Sequence, residues 1–252
     1  MNQTLELMLS HRSIRKFTDQ TVSEESVKQI IKAAQSAATS SFLQAYSIID
    51  VRKPELRSKL KILCGDQEYV ETAPLFLVFC GDVHRTKVVC DNEANKIGKN
   101  GLTTYESGWT ETFIIATVDA ALAGQNAMLA AESLGLGGVF IGGIRNNAQE
   151  VSDLLELPEE VYPIFGICLG YPAQDPLVKE RLPESIVYSI DKYQALDEQA
   201  LQAYDQRISD YYVQRTRGKM NDTWSHSISK KFASEKREHM LGFLQKRGFL
   251  KK

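Results

Sequence analysis

Cysteine and histidine are scarce in this chain, and their spacing argues against two common kinds of site. The 252 residues include four cysteines without a C-x-x-C pair, and four histidines without H-E-x-x-H or a Cys/His cluster. Cys80 and Cys168 lie within apolar runs, which favours buried, reduced thiols over a disulfide framework. The sequence therefore predicts neither a metal centre nor a disulfide-stabilised fold.

A large net charge and a long apolar run are also missing. Thirty Lys and Arg residues against 32 Asp and Glu residues leave a net charge of -2, so no overall field attracts nucleic acid or an anionic membrane. No window approaches the roughly 20 apolar residues of a membrane span, and the first residues lack the features of a signal peptide. We expect a cytoplasmic protein whose partners are small molecules or a second copy of itself.

Motifs of nucleophilic and nucleotide-hydrolysing enzymes are absent as well. The chain has no G-x-S-x-G, no G-x-x-x-x-G-K and no cysteine in a motif with a local activating histidine. The glycine-rich stretch 135–143 is not a dinucleotide fingerprint, because Phe140 occupies the place of the last glycine and the stretch follows a helix. No residue is therefore predicted to be a catalytic acid or base, which is typical of a protein whose cofactor carries the chemistry.

Hydrophobic periodicity predicts alternating strands and helices. Strands are expected at 45–51, 75–81, 138–143 and 162–170, and helices at 4–10, from Ser23 to about Ala38, from Pro54, and at 109–134, 196–217 and 225–247. In the helix at 109–134, Ile114, Val118 and Leu122 recur at helical spacing, and its alanines and Gly124 suit close packing against another helix. The order favours one α+β domain over residues 1–252, with a helical C-terminal excursion at about 196–252.

Two basic clusters and a polar loop are the candidate functional segments. His11, Arg12, Ser13 and Arg15 bring two guanidiniums, an imidazole and a hydroxyl together, a set of donors that suits a phosphate. Lys179 and Arg181 repeat this basic character later in the chain. Thr39, Ser40 and Ser41 follow a helix with hydroxyls that can bond a heterocycle, and Gly142 and Gly143 allow a flat ligand to approach the backbone. Taken alone, each basic cluster and the polar loop is more typical of an ordinary solvated loop. An ordinary turn accounts less well for Gly142 and Gly143.

In this order the blocks of the chain resemble the FMN-dependent, oxygen-insensitive NAD(P)H nitroreductases and flavin reductases, in particular the larger subgroup that includes luciferase-linked NADPH-FMN oxidoreductases. The resemblance rests on HRSIRKFTDQTVSEE, TSSFLQAYSII, AALAGQNAMLAAESLGLGGVFIGGIRNN, FGICLGYP with VKERLP, and DTWSH. It implies a mixed central sheet flanked by helices, and an intertwined homodimer with FMN at the interface.

The resemblance also implies roles for individual residues. The FMN-binding set is His11, Arg12, Ser13, Arg15, Thr39, Ser40, Ser41, Gln67, Tyr69, Phe140, Ile141, Gly142, Gly143, Lys179 and Arg181, with Thr39 to Ser41 supplied by the other subunit. Some relatives hold the extra phosphate of NADPH with two basic residues before the D-T-W motif. Arg215 matches the first and Met220 stands at the second, so we expect Arg217 and Lys219 to substitute. NADPH should be preferred over NADH, but by a narrower margin than in relatives that have both basic residues.

The implied reaction is a ping-pong transfer of hydride from NADPH to FMN, followed by two-electron reduction of nitroaromatics, quinones or free flavin. Two alternatives stay open on the sequence. One is a dedicated flavin reductase that supplies reduced FMN to a partner oxygenase. The other is a non-enzymatic flavin-binding redox sensor.

Overall fold

The structure is a computed structural model that describes residues 2–97, 105–234 and 237–252. These residues divide into two compact units, one made of Met1–Pro176 with Arg237–Lys252 and the other of Leu177–Lys236. The division falls at residues 176 and 237, so the C-terminal part of the predicted excursion belongs to the first unit. The single-domain interpretation of the whole chain stays a prediction.

A four-stranded sheet forms the centre of the first unit. Its strands are β1 (Tyr46–Asp50), β2 (Leu75–Asp82), β3 (Gly137–Ile141) and β4 (Val161–Gly170), in the order β1-β2-β4-β3. Every residue of β2 and β4 is buried, as expected of central strands that are covered on both faces. The three strand pairings and the isolated bridge between Phe17 and Pro172 are all antiparallel. The described part of the chain therefore contributes no parallel pair to a mixed sheet.

β3 is shorter than the sequence predicted. The strand ends at Ile141, and Gly142–Arg145 form a 3-10 turn, so the prediction of a strand through Gly143 is wrong at its last two residues. A Cβ at Gly143 would lie 2.3 Å from the Cys64 carbonyl oxygen, which shows how closely this turn approaches the chain beyond it. That approach is long-range in sequence, so local patterns do not indicate where the strand ends.

Eight helices surround the sheet in the described part of the first unit. They are α1 (Gln3–Leu9), α2 (Glu24–Gln35), α3 (Pro54–Leu63), α4 (Glu68–Thr72), α5 (His84–Ile97), α6 (Thr110–Ser133), α7 (Ala148–Leu154) and α11 (Met240–Lys246). Ser23 caps α2 by accepting the N–H of Ser26, and Pro54 occupies the first turn of α3, as the sequence predicted.

The long helix α6 buries its small residues rather than its branched ones. Its buried face consists of Ala116, Asp119, Ala120, Ala123, Gly124, Ala127, Met128 and Ala131. These side chains pack against α2 and the sheet of the same chain, so the alanine face is not available to a second subunit. Ile114, Val118 and Leu122 stay 46%, 47% and 43% exposed. The predicted apolar stripe therefore lies on the outer side of the helix.

By length and composition, α6 is also the one described helix that could cross a membrane. The core helix of a soluble protein passes the same test, and 39% of the most apolar window of α6 is buried inside the protein. Asp119 lies in the middle of the helix, is fully buried and accepts two backbone N–H groups. These are the features of a core helix.

The second unit is helical in its described residues. It contains α8 (Glu184–Val187), α9 (Glu198–Thr216) and α10 (Trp224–Phe232), and Asp197 caps α9. The prediction of one helix over 225–247 is wrong, because α10 ends at Phe232 and α11 begins at Met240. Part of the predicted span, 235–236, lies outside the described residues. Arg237 and His239 belong to the first unit and precede α11, and their side chains bind the Gly142 and Arg145 carbonyls of that same unit.

Candidate functional site

The segment His11–Arg15 is fixed on the first residues of β3. The N–H of Ile14 donates to the Gly138 carbonyl at 2.9 Å, and the Ile14 side chain is 3% exposed. A Cβ at Gly137 would lie 2.5 Å from Ile14 Cγ1, so glycine is required there for the segment to pack this closely. The buried isoleucine holds the polar residues on either side of it at the start of the strand.

The basic residues of this segment have different partners. Nδ1 of His11 donates to Glu132 Oε1 at 2.5 Å, and the two terminal nitrogens of Arg12 reach Asp175 Oδ1 at 2.6 Å and the Ser10 carbonyl at 3.1 Å. Nε of Arg12 is buried without a hydrogen-bond partner. Arg15 is exposed and makes no hydrogen bond or ion pair with any residue that the structure describes. The guanidinium of Arg15 is therefore available to an anion without breaking an existing contact.

Three of the candidate residues, Gly143, Gln67 and Tyr69, lie together at the other end of β3. The side-chain amide of Gln67 donates to the Cys64 carbonyl at 2.6 Å, and Tyr69 donates to Gln67 Oε1 at 2.6 Å. A Cβ at Gly143 would lie 2.4 Å from Gln67 Nε2. Only glycine lets the backbone come this near to the locked amide of Gln67.

Phe140 and Ile141 face opposite sides of β3. Phe140 is 37% exposed, and its ring packs edge-on against Phe165 at 5.2 Å between centroids. Ile141 is fully buried in the core cluster on the other face of the sheet. Ile141 can therefore offer only backbone atoms to a ligand, whereas Phe140 also presents part of its ring.

Sequence reasoning missed two arginines beside the Gly142–Arg145 turn. Arg237 donates to the Gly142 carbonyl at 3.1 Å and to Asn146 Oδ1 at 2.8 Å. Arg145 donates to the Ile164 carbonyl, and burial lowers its pKa, as does the positive charge of Arg237. Arg237 lies 95 residues from Gly142 in a charged stretch, so nothing local in the sequence indicated this contact.

The loop that carries Thr39, Ser40 and Ser41 is held by a residue that sequence reasoning also missed. Asp119 accepts the backbone N–H of Ser40 at 2.9 Å and that of Ala45 at 3.0 Å. Between those anchors Ser41, Phe42 and Gln44 have positive φ values of 47°, 59° and 54°, a conformation that costs non-glycine residues free energy. The sequence signal that could have indicated this role is a single aspartate within a largely apolar helix.

This loop stands apart from the other candidate residues within one chain. Phe42 is 81% exposed at its tip, and Thr39 Oγ1 is buried without a hydrogen-bond partner. In the described part of the chain, no hydrogen bond or ion pair joins Thr39, Ser40 or Ser41 to another predicted site residue. The structure therefore places candidate residues at both ends of β3 and leaves this loop as a separate surface.

In the second unit, Lys179 donates to the Tyr212 hydroxyl at 2.7 Å and lies 4.8 Å from the centroid of that ring. Arg181 is exposed and makes no hydrogen bond or ion pair with the described residues. Arg215 donates to the Tyr211 hydroxyl at 3.2 Å, and Arg217 ends α9 in the left-handed conformation.

Lys219 lines a cavity of about 510 Å³ in the same unit. Two further basic residues, His226 and Lys230, line this cavity and were not predicted. Asp222 also lines it and accepts a hydrogen bond from His226 Nδ1 at 2.5 Å. The cavity therefore combines three basic groups with one carboxylate.

The cysteines do not add a nucleophile to the site. All four are free, and Cys64, Cys80 and Cys168 are buried, as the sequence predicted for Cys80 and Cys168. Burial raises the pKa of the Cys64 thiol to about 12 and shifts the pKa values of Cys80 and Cys168 upward as well. These thiols stay protonated at neutral pH, and only a thiolate is a strong nucleophile.

Family models match most of the chain. The model described as "Nitroreductase family" matches residues 8–171, and the one described as "Nitroreductase family, C-terminal domain" matches residues 179–252. The chain is 44% identical to the oxygen-insensitive NADPH nitroreductase of Salmonella typhimurium, with 99% of each chain covered. It is 41% identical to the FMN reductase (NADPH) of Bacillus subtilis, with both chains fully covered.

This chain is also similar to solved structures over its whole length. The NADPH:FMN oxidoreductase from Vibrio harveyi, complexed with NAD+, is 42% identical over the whole of both chains, with a TM-score of 0.87. NfrA1 of B. megaterium is 47% identical, with a TM-score of 0.92 and 99% of this chain and 100% of that chain covered. The predicted α+β fold is therefore confirmed.

Proposed function

Because this chain belongs to the nitroreductase family, we propose that its site binds FMN along β3. The activity is that of an NAD(P)H-dependent FMN oxidoreductase, as in the relatives that are named for it. Bound FMN supplies the redox chemistry, since it accepts hydride from a nicotinamide and passes two electrons to a second substrate. The protein binds and orients the reactants and excludes water.

The observation that carries this proposal is the placement of two different binding surfaces at the two ends of β3. Arg15 follows Ile14, which is bonded to Gly138, whereas Gly142 and Gly143 follow the last residue of the strand. At about 3.3 Å per residue, Gly138 and Gly142 are roughly 13 Å apart. FMN is an elongated molecule with a phosphate at one end and a planar ring at the other, and it suits this separation.

The residues at the first end suit a phosphate. Arg15 has no competing partner among the described residues, and the buried Nε of Arg12 still needs an acceptor. His11 and Ser13 add neutral or charged donors at short range. Glu132 and Asp175 already engage His11 and Arg12, so Arg15 is the residue on which we expect phosphate binding to depend most.

The residues at the second end suit a flat heterocycle. The backbone at Gly142 and Gly143 carries no side chain that would block a ring, and the amide of Gln67 is locked beside it by Tyr69 and the Cys64 carbonyl. An orientation fixed before binding lowers the entropic cost of holding the ring. By the family resemblance, Lys179 places positive charge near flavin N1, and Arg181 adds to the phosphate contacts.

We propose further that the active protein is a homodimer. Val118 and the other branched residues on the outer side of α6 leave an apolar face uncovered in one chain, and such a face marks an interaction surface. Thr39 Oγ1 lacks a partner, and Phe42 is exposed at the tip of the same loop. A second copy covers the face and brings Thr39, Ser40 and Ser41 to the FMN of the first.

For the electron donor we propose NADPH, with NADH as a weaker alternative. Arg215, Arg217 and Lys219 are the residues proposed to read the extra phosphate, and Lys219 lines the basic cavity beside α10. Arginine and lysine recognise an exposed phosphate without a buried site. The preference for NADPH is expected to be smaller than in relatives that have both basic residues, because Met220 stands at the second basic position.

The acceptor is proposed to be a nitroaromatic, a quinone or free flavin, in the cytoplasm.

Rate measurements distinguish this oxidoreductase from the two alternatives, a dedicated flavin reductase and a flavin-binding redox sensor. Purified protein should carry one FMN per chain, and anaerobic stopped-flow mixing with NADPH should bleach it within the turnover time. Slow bleaching would favour a sensor, and a preference for free FMN in competition with quinones would favour a flavin reductase. Colourless protein that binds no added FMN would contradict the whole proposal.

A further inference from the structure

A closed set of hydrogen bonds surrounds the Gly142–Gly143 peptide. Arg237 donates to the Gly142 carbonyl at 3.1 Å, and its Nε and Nη2 both reach Asn146 Oδ1, at 3.1 and 2.8 Å. The backbone N–H of Asn146 donates in turn to the Gly143 carbonyl at 2.8 Å. Both carbonyls of the glycine pair are therefore bound on the side of Arg237 and Asn146.

The orientation of one carbonyl fixes the orientation of the next amide. The structure has no cis peptide bond among its described residues, and in a trans peptide the C=O and the following N–H point in opposite directions. Since the Gly142 carbonyl points at Arg237, the Gly143 N–H points away from Arg237. The backbone bonds of the 3-10 turn over Gly142–Arg145 favour this orientation. Because glycine has little preference of its own, the Arg237 contact adds to that restraint from outside the turn.

We propose that Arg237 is a positioning residue that holds this peptide so that the Gly143 N–H faces the flavin ring. The inference rests on the proposed function for the presence of FMN, but the contact itself belongs to the protein alone. Arg237 acts through Gly142, and a peptide flip would replace a hydrogen-bond donor by the carbonyl dipole. A fixed donor beside the ring stabilises negative charge that develops there.

Arg247 provides a matched control. It is another arginine of the C-terminal segment whose guanidinium binds only backbone carbonyls in the described residues, namely those of Val161, Leu157 and Pro158. None of these carbonyls belongs to the Gly142–Arg145 turn. A general loss of stability in the C-terminal segment therefore affects both variants, whereas a loss of peptide orientation affects only Arg237→Ala.

The experiment compares wild type, Arg237→Ala, Arg237→Lys and Arg247→Ala. Hydrogen exchange of peptides spanning 140–146 is measured in the apoprotein, and the FMN dissociation constant, visible spectrum and two-electron midpoint potential are measured in the holoprotein. We expect Arg237→Ala to speed exchange, to weaken FMN binding about 3- to 10-fold, the range of one hydrogen bond, and to make the potential more negative. Arg237→Lys should recover part of each change.

Two results would overturn the inference. One is an Arg237→Ala variant whose hydrogen exchange, spectrum and midpoint potential equal those of the wild type. The other is an Arg247→Ala variant whose spectrum and potential shift as much as those of Arg237→Ala. If wild type binds no FMN, the proposed function fails. The exchange measurement in the apoprotein then still decides whether Arg237 holds the peptide.

Discussion

The carboxylate of Asp119 on α6 accepts the backbone N–H of Ser40 at 2.9 Å. Its second oxygen accepts the N–H of Ala45 at 3.0 Å, so one fully buried side chain holds both ends of a loop. The residues between those ends include three left-handed non-glycine residues, Ser41, Phe42 and Gln44. Such a conformation persists only where its surroundings enforce it, and Asp119 is the described side chain that bonds to both ends.

Replacing Asp119 by Asn should release this loop. The substitution turns one acceptor oxygen into an NH2 group that faces a backbone N–H, so one buried donor loses its partner at a cost of about 1–3 kcal/mol. We expect a lower free energy of unfolding and, if the loop reaches FMN in the partner subunit, weaker FMN binding. Denaturant unfolding and FMN titration measure the two effects. Glu111→Gln, at an exposed residue of the same helix, is the control. An Asp119→Asn variant with the stability and FMN affinity of the wild type would refute the role of Asp119 in holding the loop.

A second prediction separates Arg15 from its basic neighbour Lys16. Arg15→Ala should weaken FMN binding by about 1.5–3 kcal/mol, because a charge-assisted bond to the phosphate is lost. The unfolding temperature of the apoprotein should stay unchanged, because Arg15 has no partner among the described residues. Fluorescence titration of FMN into each apoprotein provides the measurement. Equal affinity of Arg15→Ala and the neighbouring Lys16→Ala would place the phosphate elsewhere.

The sequence predicted most element positions because the relevant interactions are local. Ser23 caps α2 and Pro54 begins α3 where predicted, and the buried run at Leu75 became β2. The single helix predicted over 225–247 was wrong for a non-local reason. Arg237 and His239 bind backbone carbonyls near residue 145, and such contacts override helix propensity.

The site was only partly predictable for the same reason. The donors at His11 to Arg15 and the glycines at 142 and 143 are local patterns. The roles of Asp119 and Arg237 depend on contacts across 79 and 95 residues. On α6 the period of the apolar residues was read correctly, but periodicity does not say whether small or branched residues face the core. Packing against α2 and the sheet determines which residues of α6 face the core, and the residues that fit there are the alanines.

A third prediction concerns the exposed face of α6. Val118→Glu or Leu122→Glu would place a charge in the proposed interface, where burial without a partner costs several kcal/mol. We expect these variants to be monomeric, or much weaker dimers, in light scattering and analytical ultracentrifugation, and to bind FMN poorly. Ile62→Glu is the control, because Ile62 is 68% exposed on α3. A dimeric Leu122→Glu protein, or a fully active monomeric wild type, would contradict the proposed interface.

A fourth prediction concerns the buried carboxyl of Glu160. Burial raises its pKa above the ordinary value of 4.5, although Lys87 and His84 oppose the shift, and its Oε2 has no hydrogen-bond partner. A raised folded pKa means that the folded state binds the proton more tightly. The destabilisation is therefore absent below the unfolded pKa and grows as pH rises through the folded pKa.

Glu160→Gln should accordingly raise the unfolding temperature at pH 7 to 8 and lose that advantage near pH 4. The amide has the shape of the protonated acid and carries no charge to desolvate. Thermal unfolding across this pH range tests the prediction, with the exposed neighbour Glu159→Gln as the matched control. An advantage of Glu160→Gln that is the same at pH 4 and pH 8 would show that charge is not the cause.

The last prediction concerns the choice of electron donor. Arg215 donates to the Tyr211 hydroxyl at 3.2 Å and lies 5.9 Å from the centroid of that ring, so its guanidinium lies against Tyr211 in the last turn of α9. If it reads the extra phosphate of NADPH, Arg215→Ala should lower the ratio of kcat/KM for NADPH to that for NADH about tenfold, the effect of one charge-assisted contact of roughly 1.4 kcal/mol. The value for NADH should change little, because NADH lacks that phosphate. Arg207→Ala on the same helix is the control, since Arg207 pairs with Glu180 at 2.8 Å. An unchanged ratio in Arg215→Ala, or equal use of the two nucleotides by wild type, would remove Arg215 as the phosphate reader.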